Sequence, residues 1–313
     1  MSLTDDFFSD PLKFAGAWAI CPPNEVTGYR GKEATVLDTT GYKGIGPDPA
    51  EPRESVAYSR IMRSKKVAYI ELFNDMRPGG KRPEDTNEEG INVVRMNRQF
   101  DHFGEARPVY FLPWDKDGAI IKLRIPEKGT HRPDPAIFFT AAINGCSIFV
   151  QGTPDSPTVY HAGGDTKRKD HNDAARFWRQ ALANHLKDSE SARARGKIQA
   201  EVNKTHYIKT PGTTGNATTP VAEQYERELK KLLDRKGSFQ ITMVNPWGCV
   251  FGVRSGDDWS FYLQENATVV CNYVSKSGNR QVSYARPMQL NKIYPGGTSL
   301  MASMSHTVPV TIT

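Results

Sequence analysis

From residue 239 onward the chain breaks into short apolar, β-branched and aromatic runs, at 239–244, 249–253, 260–264, 268–274 and 281–285. Turn-forming residues separate them. Runs of that length and make-up read as strands, and a series of them predicts a sandwich. Further strands are expected at 67–73, 91–96 and 109–114. Residues 173–187 read as an amphipathic helix capped by Asn172 or Asp173, with Phe177, Trp178, Ala181, Leu182 and Leu186 on one side. Residues 189–204 read as a polar helix. A third helix at 221–236 would turn Tyr225, Leu229, Leu232 and Leu233 inward. The expected class is α+β: a β-sandwich of mixed sheets flanked by helices, with a helical segment at about 172–236. The 313 residues are enough for one large domain spanning 1–313, with 1–60 as an N-terminal extension of no readable pattern. Loops are expected at 44–52, 77–90 and 210–220. Residues 306–313 suit an edge strand, because Pro309 cannot donate to a ladder.

Several function classes are disfavoured by composition. Residues 1–6 lack a basic, then apolar, leader pattern, so no ordinary secretory signal is expected. No run approaches the roughly 18 apolar residues of a membrane helix. Cys21, Cys146, Cys249 and Cys271 are scattered and do not cluster with the seven histidines, which argues against zinc and against disulfides. The glycines at 41–46 and 79–80 lack the strand–loop–helix setting of a phosphate loop. No cofactor or metal is expected.

One segment carries chemistry. Asp134-Pro135 reads as a helix start, and Ile137, Phe138, Ala141 and Ala142 follow at helical spacing. Asn144-Gly145 reads as the stop, so Cys146 emerges straight after a short helix. A strand at 146–151, a turn at 152–157 and a returning strand at 158–161 complete a hairpin. If the strands pair about the centre of that turn, between Thr153 and Pro154, Cys146 faces His161. Directly opposed Cβ atoms lie about 4.5–5.5 Å apart. Cys146, Ile148, Val150, Val159 and His161 then share a face. A thiol beside an imidazole is a nucleophile with its own base. The plainer alternative is a buried cysteine acting as a small hydrophobe.

The order of short motifs adds to this. Val109 to Gly118 (Val-Tyr-Phe-Leu-Pro-Trp-Asp-Lys-Asp-Gly) precedes Phe138-Phe139-Thr140, then Asn144-Gly145-Cys146, Val159-Tyr160-His161 and Phe177-Trp178-Arg179. That series resembles the Burkholderia lethal factor-like glutamine deamidases, which share the catalytic fold of the cytotoxic necrotizing factors. It covers residues 109–180, with a weaker echo at 247–262. The resemblance implies that Cys146 is the nucleophile, His161 the base and Thr140 a third active-site residue. Asn144 stands where the family shows a serine before Gly-Cys. Gly145 and Asn144 would form the turn that presents the Cys146 N–H to an oxyanion. On its own, Thr140 reads as a helix hydroxyl bonded to its backbone.

The resemblance also implies a bacterial toxin or effector that converts a target-protein Gln to Glu. Its partner would be a translation-initiation helicase or a Rho-type GTPase. The protein would occupy the bacterial cytoplasm before delivery and the target-cell cytosol afterwards. A cysteine peptidase or transglutaminase-type enzyme with the same dyad is the alternative, as is a non-catalytic binding module. Residues 163–236 hold 16 Lys/Arg against 10 Asp/Glu, which accounts for the whole net charge of +6. That basic helical segment reads either as an attractor for an acidic partner or as ordinary solvated helices. Its aromatics are not interleaved as in a strand-binding groove, so direct nucleic-acid binding is not expected.

Overall fold

Side-chain alternation along the strands sorts the apolar residues into three layers. The computed structural model describes residues 2–22, 37–43, 60–64, 67–70, 72–74, 93–96, 107–114, 119–130, 132–163, 171–188, 190–207, 239–275, 278–296 and 298–299. Its strands are β1 (Ala19–Cys21), β2 (Leu37–Lys43), β3 (Arg60–Ser64), β4 (Val67–Ile70), β5 (Leu72–Asn74), β6 (Val93–Met96), β7 (Arg107–Leu112) and β8 (Ala119–Arg124). There follow β9 (Ile137–Thr140), β10 (Ser147–Gln151), β11 (Thr158–Gly163), β12 (Ile198–Val202), β13 (Phe239–Ser255), β14 (Asp258–Ser275), β15 (Gly278–Tyr294) and β16 (Thr298–Ser299). The helices are α1 (Leu3–Ser9), α2 (Pro11–Ala17), α3 (His171–Asp188), α4 (Glu190–Arg193) and α5 (Lys204–Tyr207). A seven-stranded sheet runs β16-β15-β14-β13-β9-β7-β4, a six-stranded sheet β12-β10-β11-β8-β3-β2, and a small one β1-β6-β5. Parallel pairs (β1/β6, β3/β8, β7/β9) mix with antiparallel ones, so the α+β class with mixed sheets holds.

On β7, Val109 and Phe111 point to one side and Tyr110 and Leu112 to the other. On β9, Ile137 and Phe139 oppose Phe138, and on β13 Cys249 and Phe251 oppose Val250. That is the period-2 rule of a strand buried on both faces. The first side meets α1 and α2; the Phe7 ring lies 5.4 Å from that of Phe139. The second side packs Leu112, Phe138, Val250 and Phe261 against Ile121, Ile148, Val150 and Val159 of the six-stranded sheet. The far face of the six-stranded sheet carries Ile120, Phe149, Tyr160 and Ala162, covered by Phe177, Trp178, Ala181 and Leu182 of α3. The stack is therefore helix, sheet, sheet, helix. Each large side chain buried there contributes about 1.5–3 kcal/mol.

Some expectations fail for physical reasons. Residues 134–143 are not helical. Ile137–Thr140 is a strand held between β7 and β13, and Asp134 accepts from the Gly129 N–H (2.8 Å) and from Arg254 (2.7 Å) instead of capping. The polar helix at 189–204 shrinks to α4, because Gln151 donates its amide to the Ala192 and Gly196 carbonyls and the chain then joins β10 as β12. The helical segment at about 172–236 is thus interrupted by a strand, and its third helix lies outside the described residues, as do the loop at 210–220 and the strand at 306–313. The five short runs after 239 are three long strands, whose bulges near Ile241, Phe261 and Glu265 broke the pattern. Within the extension, Ser2 caps α1 and Asp10-Pro11 starts α2.

Gln264 fastens that N-terminal layer. Its Oε1 accepts from the Ile20 N–H (2.9 Å), and its Nε2 donates to the Ala15 (2.5 Å) and Trp18 (2.6 Å) carbonyls. Gln264→Leu keeps the bulk and leaves those backbone groups unpaired. Each buried unpaired group costs about 1–3 kcal/mol. The variant is expected to lose at least about 2 kcal/mol in urea unfolding and to expose residues 1–22 to proteolysis first.

Candidate functional site: a buried thiol at the end of the six-stranded sheet

The turn that delivers Cys146 is pinned on three sides. The Ala141 N–H donates to the Leu112 carbonyl (2.8 Å), and Ile143 exchanges two 2.8 Å hydrogen bonds with Gly248. The Gly145 N–H donates to the Tyr207 hydroxyl (2.7 Å), which in turn donates to the Cys146 carbonyl (3.0 Å). Gly145 has φ +108°, a region that glycine enters without the penalty a Cβ imposes. The expected stop at Asn144-Gly145 is therefore a turn, but between two strands. Asn144 is exposed, with its backbone N–H at the Cys146 sulfur.

The hairpin forms in a different register from the one expected. Ile148 pairs with His161 and Ser147 with Ala162, so the turn centre lies between Pro154 and Asp155. Continued outward, this register sets Cys146 against Gly163. The thiol and imidazole are diagonal neighbours, whose spacing in a ladder is about 7–8 Å. A shift of two positions conserves the face, and His161 still looks into the space between the sheets beside Ile121. Among the described residues, neither nitrogen of its buried ring has a hydrogen-bond partner. The Leu112 carbonyl, which accepts from the Ala141 N–H and keeps a second lone pair, favours the protonated ring. Thr140, also buried, lies across from Leu112 on β9 and spends its hydroxyl on the Ala141 carbonyl (2.8 Å). The backbone-bonded reading of Thr140 thus holds, on a strand in place of a helix.

Close packing surrounds the sulfur. A Cβ on Gly163 would stand 2.6 Å from the Cys146 Sγ and 2.7 Å from the Trp114 Nε1. Only glycine leaves room there for both. The Trp114 indole N–H is buried and without a partner among the described residues. Burial pushes the Cys146 thiol up to about 12, partly offset by the Asn144 N–H and the Lys204 charge. Burial likewise pushes His161 down to about 3, slightly offset by the Leu112 carbonyl. At neutral pH this closed site holds a neutral thiol and a neutral imidazole.

Sequence reasoning missed Trp114, Gly163, Lys204 and Tyr207 as parts of the site. The alternation of Ile198, Ala200 and Val202 was the available signal for β12, which brings in the last two. Among the described residues no three His, Cys, Asp or Glu side chains gather in a way that could hold a metal. No described helix is long and apolar enough to cross a membrane.

Two outcomes follow. Gly163→Ala forces the thiol or the indole aside, an overpacking that costs roughly 1–3 kcal/mol, measurable by urea unfolding. His161 has a depressed folded-state pKa, so its contribution is intact above about 6.5, the unfolded value, and is lost as pH falls toward about 3. Stability should decline across that window, and His161→Leu should flatten the decline. No protein-family model matches the chain, and no curated protein matches it.

Proposed function

We propose that this chain is a thiol-dependent protein-glutamine deamidase, a hydrolase of side-chain amides, with Cys146 as nucleophile and His161 as base. The observation that carries the reading is the imidazole. A buried histidine with two unpaired nitrogens costs stability, and such exceptions in native structures ask for a reason. Here it shares the inter-sheet face with a cysteine presented by a rigid turn, in the motif order of the lethal factor-like deamidases. By the same resemblance, the chain is a bacterial toxin or effector acting on a translation-initiation helicase or a Rho-type GTPase.

In the reaction, His161 takes the Cys146 proton and the thiolate adds to the glutamine Cδ. The C–N bond breaks, His161 returns the proton, and ammonia leaves. Water, deprotonated by His161, then cleaves the thioester to give glutamate and the free thiol. With the thiol near 12 and the imidazole near 3, charge separation is uphill in the closed state. The substrate amide must therefore bring polarity to the site as it binds, and the Leu112 carbonyl is placed to hold the imidazolium. Thr140 is the third active-site residue that the resemblance implies, and its hydroxyl donates to the Ala141 carbonyl (2.8 Å) across from Leu112.

The same burial favours a second reading, a cysteine that only packs. Target-cell extract treated with the wild type or with Cys146→Ser separates them. A Gln-to-Glu conversion, seen by peptide mass as a gain of about 1 Da, is expected with the wild type only. If treated extract shows no such site, or if peptide bonds are cut or cross-links form instead, the deamidase reading fails.

A further inference from the structure

Cys146 enters a strand that has two partners, and the chain just past the second partner carries a cation. β10 pairs with β12 as well as with β11, with Ile148 opposite Val202. Continued outward, that register places Lys204 opposite Cys146, as Gly163 lies opposite it on the other side. The structure agrees: the Lys204 Cδ lies 4.0 Å from the point where a Gly145 Cβ would stand. The lysine stem thus lies over the glycine that turns the chain into Cys146.

Lys204 is held there by a built element. It is the first residue of α5, a single turn with Asn203 as its cap. The Asn203 Oδ1 accepts from the Thr205 N–H (3.0 Å), and the His206 Nδ1 accepts from the Asn203 N–H (2.9 Å). This is a capping box with an imidazole in the place of the usual carboxylate. At the other end of α5, the Tyr207 hydroxyl joins Gly145 to Cys146. The nearby acid Glu201 is occupied by Arg179 (2.5 Å) and Asn203 (2.7 Å). Among the described residues no carboxylate is paired with Lys204.

We propose that Lys204 is the counter-cation of the Cys146 thiolate, a positioning residue that makes the sulfur anionic when the site opens. The inference rests on the thiol reading above and deepens it. His161 lies one diagonal away and is the proton carrier, while Lys204 supplies the fixed charge. The other titratable group against the thiol, Tyr207, is held neutral by burial and contributes hydrogen bonds only. Burial disfavours the charge on both, lowering the Lys204 pKa and raising that of Cys146, and each group partly offsets this for the other, in keeping with their proximity.

The test needs no substrate. Alkylation at Cys146, read on its own peptide by mass spectrometry, is timed with iodoacetamide and with iodoacetate across pH 6–9. The two reagents need the same opening and differ in charge, so their rate ratio reports the local potential and cancels burial. Lys204→Met is expected to lower the iodoacetate-to-iodoacetamide ratio several-fold and to move the pH midpoint upward. Lys204→Arg, which keeps the charge, should retain both, and it serves also if the Met variant fails to fold. An unchanged ratio in Lys204→Met, or a wild-type Cys146 inert to both reagents up to pH 9, overturns the proposal. A wild type that shows the Lys204-dependent ratio but converts no glutamine sinks the deamidase reading alone.

Discussion

Exclusion of water from between the two sheets governs the chemistry of this molecule. Leu112, Phe138, Val250 and Phe261 close over Ile121, Ile148 and Val159, and the same layer encloses the His161 ring. A packed apolar layer favours neutral forms of whatever polar groups it traps. It raises the thiol, lowers the imidazole, and makes every nearby dipole count for more than it would in water. The turn at Gly145 aims Cys146 because its backbone is hydrogen-bonded to Leu112, Gly248 and Tyr207. The burial that silences the pair also makes a single well-placed charge effective.

The parts of the fold that follow one local rule were legible in the sequence. The buried stripe of α3 was read residue by residue, since Phe177, Trp178, Ala181 and Leu182 sit at helical spacing and all reach the core. The hairpin 146–161 was legible because turn formers bracket two apolar runs. Its register was not, because two prolines in a six-residue loop leave the centre open, and pairing with β8 and β12 settled it. Parity survived the error, so the shared face of Cys146 and His161 was read correctly while their opposition was not.

The failed helix at 134–143 shows why local signals compete. Ile-Phe-Phe-Thr is a continuous apolar run whose positions also fit a helical stripe, and an Asp-Pro pair precedes it. The same pair at Asp10-Pro11 does start a helix. The difference is tertiary: β7 and β13 offer β9 backbone partners on both edges, and Arg254 claims Asp134. The site residues beyond the dyad were hidden for a related reason. Lys204 and Tyr207 matter only through β12, whose short alternation was outweighed by the charged residues around it.

The hydrogen bond of Tyr207 to Cys146 and the pairing of Ile143 with Gly248 have a consequence for biosynthesis. Gly163 and Trp114, which pack at the sulfur, lie near it in sequence or before it, but the contacts that pin the Cys146 turn come from far downstream, at 207 and at 248. A chain emerging from the ribosome therefore holds the residues of its hairpin before the turn that carries the thiol can be pinned. The fixed setting of the Cys146 turn is a property of the finished polypeptide, acquired only once about a hundred further residues have been made and Gly248 has docked on Ile143.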